Sequence, residues 1–481
     1  MPEIFINGHS VQAADNQSVL EAARAGGHFI PYFCWHPKLS VAGNCRICVV
    51  QVEGRSWVEI ACNMPVSEGL RVFTDSDLVK AHRKAVMQFL TLNHPVDCGI
   101  CDKAGECSLQ DYHYAYNGSP SVSREPKVRS TKFHDLSERI LLDNERCILC
   151  SRCVRFTHEI SKSSALGIKH RGDESLVRAS EDGALDRDPY SDNVIDICPV
   201  GALLSRPFLY KARVWYLTST PSVCPGCARG CTVKIWHRKP AWHLKALDPG
   251  QNASIARVTP LENPAVNGPW ICNKGRDLAK ILERPRAEEA MLKGTPVALP
   301  AAIDAARRLL GAAKRPVALV SSWGSNEELA AFNSALGGRL TAFVKEDCVP
   351  EPGERLEDDL LIRADKNPNT TTARALFAPL PGPAEPAFDG ETDLVLVWGE
   401  GFAFTRLPPK AKIIFLNAYL QPENGHADVF FPVSVQTERQ GHYMNFQGAV
   451  SAFEPCFAKK PGVVDAVTVF AALAAGKAEK P

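Results

Sequence analysis

Fifteen of the seventeen cysteines in this 481-residue sequence lie before residue 273, and with one histidine they form four groups. Each group holds four candidate metal ligands. Thiolates with no redox function of their own usually bind zinc or iron–sulfur clusters, so the spacing within each group must distinguish the two. The remaining Cys348 and Cys456 have no partner at ligand spacing and are interpreted as small buried hydrophobic residues.

The most unusual group places one imidazole and three thiols in a single short loop, at His94, Cys98, Cys101 and Cys107. A histidine beside a helix end is usually structural or solvated. Here the histidine heads three cysteines that have no fourth cysteine nearby, because Cys62 and Cys147 are each required by another group. By this accounting, His94 is the fourth ligand.

Two further groups have spacings typical of iron–sulfur proteins. In chain order, the first of the four groups is spaced C-x10-C-x2-C-x13-C. Its first gap is longer than that of plant-type ferredoxins, and it has only one of the two C-x2-C pairs usual for zinc sites. This spacing favours a [2Fe–2S] cluster. The third group in chain order is a C-x2-C-x2-C triplet completed by a distant cysteine that precedes a proline. This spacing is typical of one [4Fe–4S] cluster. These groups are Cys34, Cys45, Cys48 and Cys62, and Cys147, Cys150, Cys153 and Cys198.

Three arginines flank the triplet of the third group, at Arg146, Arg152 and Arg155. They form either a solvated basic face or the charge compensation that a buried anionic cluster requires, and the second interpretation is favoured.

The fourth group is spaced C-x2-C-x3-C and is completed by a distant cysteine. Three close thiols and one distant thiol again suit [4Fe–4S], and a structural zinc ion is the alternative because 40 residues separate the last two members. The group comprises Cys224, Cys227, Cys231 and Cys272. Four groups in one chain indicate an electron relay, since zinc cannot accept and pass electrons. A zinc-stapled assembly scaffold is the alternative from another class.

Composition excludes several classes of function. The chain is 45% hydrophobic with a net charge of +1, which gives no reason to expect nucleic acid or an anionic membrane as a partner. No apolar run reaches the roughly 18 residues of a bilayer span. The first residues lack the pattern of a secretory signal, which predicts a reducing compartment where cysteines hold metal rather than disulfides.

The elements that position the front groups follow from local signals. Asn7-Gly8 between alternating apolar residues predicts a hairpin, and Ser18 predicts the cap of a helix that ends at Gly26-Gly27. A second helix is expected over 77–92, with Val79, Val86 and Leu90 on one face and Arg83 elsewhere. Hairpin, helix and cysteine loop is the order of a small β-grasp domain.

The back of the chain predicts a parallel α/β sheet, because strand and helix patterns alternate there. Helices are expected at 301–310 and after Ser325, and residues 350–386 read as a Pro-rich irregular connector. Gly399-Glu-Gly401 alone is too weak to indicate a nucleotide site. The strands are expected at 315–321, 340–344, 393–398, 413–417 and 429–433.

The first three groups, with His94-Pro and the Cys198-Pro-Val-Gly-Ala-Leu segment, resemble the large peripheral iron–sulfur subunit of NADH–quinone oxidoreductase, respiratory complex I. The resemblance implies one [2Fe–2S] and two [4Fe–4S] clusters relaying electrons from a flavin/NADH-binding subunit, through other iron–sulfur subunits, toward quinone. It also implies coupling to proton translocation in the whole complex. The location implied is cytoplasmic, peripheral on the inner face of the cytoplasmic membrane, without direct membrane insertion.

Residues 217–277 resemble the iron–sulfur segment of molybdopterin oxidoreductases, which implies a third [4Fe–4S] cluster. The following α/β part is too short for those enzymes and is interpreted as a shortened, non-catalytic remnant without molybdopterin. The fold expected is an α+β front half, with a β-grasp ferredoxin domain and ferredoxin-like domains, followed by this α/β domain. The predicted domains are residues 1–76, 77–118, 119–212, 213–280 and 281–481.

The nearest rival is the cluster subunit of an NAD-linked hydrogenase or formate dehydrogenase diaphorase module, which shares the first three motifs. That subunit typically ends soon after the third group, whereas this chain continues through an α/β domain. No flavin, nicotinamide or hydrolase motif occurs, so no independent substrate site and no catalytic residue are expected in this chain.

Overall fold

The N-terminal unit, residues 1–216, is one of two units in the chain, the other being residues 217–481. A computed structural model describes residues 1–245, 252–350, 352–381, 388 and 390–475. The strands and helices of the first unit are β1 (Glu3–Ile6), β2 (His9–Gln12), α1 (Val19–Ala25), β3 (Val49–Val52), β4 (Val58–Ile60), β5 (Arg71–Phe73), α2 (Asp77–Asn93), α3 (Ser108–Tyr112), β6 (Phe133–Asp135), β7 (Ile140–Asp143), α4 (Arg152–Glu159), β8 (Leu166–Lys169), β9 (Leu176–Ala179), α5 (Asn193–Ile197) and β10 (Leu203–Ser205).

The first five strands form one sheet in the order β2-β1-β5-β3-β4, with β1 and β5 parallel. Asn7 and Gly8 both have positive φ, which the tight hairpin between β1 and β2 requires. Ser18 and Glu21 form a capping box at the start of α1, whose apolar face closes the core of the sheet. The β-grasp prediction is confirmed.

Helix α2 begins after Ser76, whose side chain accepts a hydrogen bond from the amide of Val79, and it ends just before His94-Pro95. Its buried stripe consists of Val79, Arg83 and Met87. The prediction that Arg83 faces away from the apolar side was therefore wrong. The guanidinium lies buried, donates to the carbonyl of Val49 and stacks over the ring of Tyr116.

Two smaller sheets position the remaining loops of the first unit. Strands β10, β7 and β6 form one sheet, and β8 pairs with β9. Helix α4 begins within the cysteine triplet and α5 ends at Ile197, immediately before Cys198. The triplet and its distant cysteine are therefore presented by two helix ends.

The second unit begins with an antiparallel three-stranded sheet and continues into an α/β layer. Its described elements are β11 (Leu217–Val223), β12 (Thr232–Arg238), β13 (Ile255–Pro260), α6 (Asn273–Arg276), α7 (Leu278–Leu282), β14 (Ala290–Leu292), β15 (Thr295–Val297), α8 (Leu299–Ala312), β16 (Pro316–Ser321), α9 (Asn326–Leu336), β17 (Thr341–Lys345), α10 (Thr370–Leu376), β18 (Ala378–Pro379), β19 (Leu394–Trp398), β20 (Lys412–Asn417), α11 (Pro422–His426), β21 (Val429–Pro432), β22 (Gly441–Met444), β23 (Val450–Phe453) and α12 (Ala466–Ala474).

The α/β layer is a sheet in the order β15-β14-β21-β20-β19-β16-β17-β18, parallel from β21 to β18. Helices α8, α9 and α12 pack on one face, and a second apolar cluster covers the other. The predicted strands and both predicted helices are confirmed. Most of their ends lie within two residues of the predicted positions. Because apolar side chains cover both faces of this parallel sheet, its strands are almost continuously apolar. Such runs can be recognised in the sequence.

The prediction of an irregular connector over 350–386 was wrong in part, because α10 and β18 lie inside it. Asn369 precedes α10 and donates to the carbonyl of Gly324, which anchors the helix start. Three threonines open this helix, and their low helix propensity concealed it. Residues 351 and 382–386 of the predicted connector lie outside the described residues. Among the described residues, we find no helix long and apolar enough to cross a membrane.

Candidate metal centres

The first group lies in the loops around β3 and β4. Cys34, Cys48 and Cys62 are buried and Cys45 is half-buried. Thiol hydrogen bonds join Cys34 to Cys45 and Cys48 to Cys62, which lowers the pKa of the first member of each pair and raises that of the second. The amide of Asn44 also donates to Cys34. The structure thus brings these four thiols together.

The three thiols of the second group lie between α2 and α3. Cys101 and Cys107 are buried and Cys98 is exposed. Burial is the main reason that the pKa of Cys101 is raised and that of Cys107 reaches about 11. Repulsion from Cys98 raises the pKa of Cys101 further, and repulsion from Cys101 raises that of Cys107.

His94 lies at the carboxyl end of α2. Burial, aided by the positive charges of Arg146 and Lys132, lowers its pKa to about 4, although Asp97 opposes the shift. A neutral imidazole is the form that binds metal. Arg146 is within electrostatic range of both His94 and Cys101, so one guanidinium acts on the imidazole and on a thiol of the same predicted group.

Arg146 is only 2% exposed, which excludes the solvated interpretation for this residue. Its Nη2 donates to Asp97 at 2.6 Å, and its Nε lies 3.0 Å from the carboxylate of Asp143. Although burial raises the pKa of Asp97, hydrogen bonds from Arg146 and Lys132 bring it down to about 2. Sequence reasoning missed Asp97 and Lys132, because Asp97 pairs with Arg146 and Lys132 at a distance in sequence. It also missed Asp143, although its partner Arg146 lies only three residues further along.

Gly201, in the Cys-Pro segment of the third group, packs directly on the second group. A Cβ atom at this position would lie 2.2 Å from the sulfur of Cys101. The carbonyl of neighbouring Pro199 also accepts a hydrogen bond from the amide of Ser108, the residue after Cys107. The loop of the second group and the closing segment of the third are therefore in contact, and glycine is required where they meet.

The third group surrounds a cavity. All four of its thiols line this cavity, together with apolar side chains such as Leu142 and Val200. Burial, with repulsion from the other thiols, raises the pKa of Cys147 to about 12 and that of Cys150 to about 11. Arg152 is also buried at the edge of this cavity, so the charge-compensation interpretation is supported for a second arginine.

The fourth group is assembled across its 40-residue gap. Cys224 and Cys231 flank the turn between β11 and β12, and the amide of Cys224 donates to the carbonyl of Cys231 at 2.8 Å. Strand β13 pairs with β12 and returns the chain to Cys272, which caps α6. A Cβ atom at Gly275 would lie 3.4 Å from the sulfur of Cys224 and 3.8 Å from that of Cys272. Repulsion from Cys227 raises the pKa of each of the other three thiols.

Within the described residues, no three His, Cys, Asp or Glu side chains are arranged to hold a single metal ion. Whether these residues fit an iron–sulfur cluster, which is larger than a single metal ion, depends on other observations. The thiols of the third group face one shared cavity, and in each all-cysteine group the sulfurs lie close enough to repel one another as thiolates. A cationic iron core removes this repulsion, so the three all-cysteine donor sets fit iron–sulfur clusters.

Cys348 and Cys456 are half-buried, not fully buried as predicted. Burial raises the pKa of both thiols, that of Cys456 to about 11. Neither belongs to any of the four groups. Cys348 lies in the loop that follows β17.

We expect His94→Cys to lower the midpoint potential of the second cluster and to change its EPR g-values, because a thiolate adds one negative charge. Redox titration followed by EPR measures both quantities. His82→Cys, at an exposed position on α2, is the control. Unchanged g-values and potential in His94→Cys would show that His94 is not a ligand.

Four family models match successive parts of the chain. A 2Fe-2S iron-sulfur cluster binding domain matches residues 2–77, and the NADH-ubiquinone oxidoreductase-G iron-sulfur binding region matches 83–120. The ferredoxin-like domain of NADH-quinone oxidoreductase subunit 3 matches 137–204, and a molybdopterin oxidoreductase Fe4S4 domain matches 217–284. Each matched segment contains one of the four ligand groups, which confirms the predicted order of iron–sulfur regions.

Curated relatives agree with these matches. The chain is 38% identical over 292 residues to the mitochondrial NADH dehydrogenase [ubiquinone] iron-sulfur protein 1 of Solanum tuberosum, covering 61% of this chain and 38% of that protein. It is 38% identical over 276 residues to a subunit of the NADH-quinone oxidoreductase of Rickettsia typhi, covering 57% and 39%. It is 36% identical over 293 residues to the NADH-ubiquinone oxidoreductase 75 kDa subunit of Reclinomonas americana, covering 61% and 40%. The matched region thus spans about two fifths of the length of these relatives.

One solved structure is also similar, the NAD+-reducing [NiFe]-hydrogenase in its H2-reduced state. The match has 31% identity and a TM-score of 0.41, and it covers 44% of this chain and 91% of that chain.

Proposed function

We propose that this chain, whose matched region is homologous to the large iron–sulfur subunit of NADH–quinone oxidoreductases, relays single electrons from a flavin/NADH-binding subunit toward quinone. The observation that supports the proposal best is the clustering of cysteines at separate places in one chain, with mutually close thiols in each of the three all-cysteine groups. Iron–sulfur clusters, when bound, supply one-electron carriers at these positions. The chain's own residues bind the clusters, bury them and compensate their charge.

The clusters we propose are one [2Fe–2S] and three [4Fe–4S]. The [2Fe–2S] ligands are Cys34, Cys45, Cys48 and Cys62. The [4Fe–4S] ligands are His94, Cys98, Cys101 and Cys107, then Cys147, Cys150, Cys153 and Cys198, and finally Cys224, Cys227, Cys231 and Cys272. Each set lies within a different matched iron–sulfur segment, which supports assigning one cluster to each.

We further propose that the α/β layer binds no molybdopterin. A cavity lies at the carboxyl ends of its parallel strands, where ligands of such sheets usually bind. Asp347 already accepts hydrogen bonds there from the amide and the hydroxyl of Ser322, and Glu328 and Glu400 also line the cavity. Arg439, the cation in the cavity lining, already pairs with Glu328 at 2.9 Å, so no unpaired positive charge among the described lining residues is available to an anionic pyrophosphate.

Partner subunits follow from the same proposal, because the chain offers no flavin or nicotinamide motif of its own. We propose a flavin/NADH-binding subunit as electron donor and further iron–sulfur subunits as acceptors, with quinone reached only indirectly. The proposed location is the cytoplasmic side of the membrane that carries the complex, held there through these partners.

The test is whether NADH alone can reduce the purified chain. Anaerobically purified protein should be brown, should bleach with dithionite and should show no NADH–ferricyanide activity. Addition of a flavin/NADH-binding subunit should allow NADH to bleach the same absorbance. Robust NADH–ferricyanide activity from the chain alone would overturn the proposal that a separate subunit oxidises NADH. A colourless protein that contains zinc would favour the scaffold alternative.

A further inference from the structure

The loop that carries Cys34 is bound to the cysteine triplet of the third group by two arginines of α4. Arg155 donates through Nη2 to the carbonyl of Cys34 at 2.5 Å and to that of Cys150 at 3.3 Å. Both acceptors belong to predicted cluster ligands, one in the first group and one in the third. A single guanidinium thus bridges the two groups.

Arg152 makes a second bridge of the same kind. Its Nη2 donates to the carbonyl of Trp35 at 2.6 Å, and its Nη1 donates to the carbonyl of Ile197 at 3.0 Å. Trp35 follows Cys34 and Ile197 precedes Cys198 in the sequence. The side chain is 8% exposed, so these hydrogen bonds are shielded from water.

Further contacts fix the same loop. The carbonyl of Ser40 accepts a hydrogen bond from Arg155, and its hydroxyl and amide donate to Glu159 at the end of α4. Asn44, next to Cys45, donates through Nδ2 to the carbonyl of Leu149 at 3.1 Å. The loop between two ligands of the first group is therefore held along its length by residues 149–159.

We propose that Arg152 and Arg155 are positioning residues that fix the first and third groups in one relative geometry for electron transfer between them. The inference rests on the proposed function, since it concerns the path between two clusters. Two planar guanidiniums, each bonded to backbone carbonyls at or next to ligands of both groups, resist changes in separation that a single flexible ammonium would permit. Their positive charges also raise the potentials of both anionic clusters.

The experiment compares Arg155→Met and Arg155→Lys with the unsubstituted protein, all purified as the 481-residue chain. The readouts are the midpoint potentials of the two clusters and the enhancement of [2Fe–2S] spin relaxation by the reduced third cluster. Arg155→Met should lower both potentials and weaken the enhancement several-fold. Arg155→Lys should restore the potentials but not the enhancement, because it keeps the charge and loses the two-sided bridge.

Arg187→Met is the matched control, because Arg187 is exposed and pairs with Glu181 and the carbonyl of Asp182, away from both groups. It should change neither readout. Hydrogen exchange of residues 36–44 supplies a measurement independent of cluster signals, and it should accelerate in Arg155→Met but not in Arg187→Met. Normal relaxation enhancement and unchanged exchange in Arg155→Met would overturn the positioning role. Absence of iron from the unsubstituted chain would instead overturn the proposed function.

Discussion

Cys153→Ala is expected to remove the third cluster completely while the other clusters remain. Cys153 is a buried thiol lining the cavity shared by all four members of its group. Its loss leaves three ligands and opens one corner of the site, and cluster binding free energy is also folding free energy. Iron and acid-labile sulfide should fall by one [4Fe–4S] equivalent per chain, and one reduced EPR signal should disappear.

Cys456→Ala provides the matched control for this result. Cys456 is a half-buried thiol whose pKa is also raised by burial, but it lies outside the four groups. Its replacement should leave iron, sulfide and every EPR signal unchanged. If Cys153→Ala retained full iron and all signals, the assignment of the third ligand set would be contradicted.

Arg286→Met is expected to destabilise the second unit by about 3–5 kcal/mol, the typical cost of leaving one member of a buried ion pair without its partner. Arg286 and Glu438 are 5% and 4% exposed and are joined by two hydrogen bonds of 2.7 and 3.0 Å. The guanidinium also donates to the carbonyls of Ala418 and Val433, so four hydrogen bonds are lost. Urea unfolding followed by circular dichroism measures the change.

Arg315→Met tests whether burial is the cause. Arg315 forms an ion pair with Glu391 at 3.0 Å, but the two side chains are 56% and 73% exposed. Solvent screening limits such a pair to about 0–1 kcal/mol. Similar losses of unfolding free energy for the two variants would contradict the role assigned to the buried pair.

Local signals predicted the elements that carry the candidate sites. The Asn7-Gly8 turn, the Ser18 cap and the apolar strands of the α/β layer depend on neighbouring residues, so they could be read from the sequence. The ligand groups were equally accessible, since metal chemistry restricts both residue type and spacing.

Long-range packing could not be predicted in the same way. Arg83 is buried because its acceptor is the carbonyl of Val49, which lies in another element. Gly201 faces Cys101 only after α5 and the second-group loop have come together. The pairing of β13 with β12 returns the chain toward Cys272, and this pairing could not be predicted from the spacing of the cysteines.

The most direct test of the electron-relay account is an EPR redox titration of the anaerobically purified chain, with iron and zinc measured on the same sample. The account predicts iron without stoichiometric zinc, one [2Fe–2S] signal and signals from at least two [4Fe–4S] clusters that appear on stepwise reduction. Protein that is folded, colourless and loaded with zinc, with no EPR signal on reduction, would contradict it.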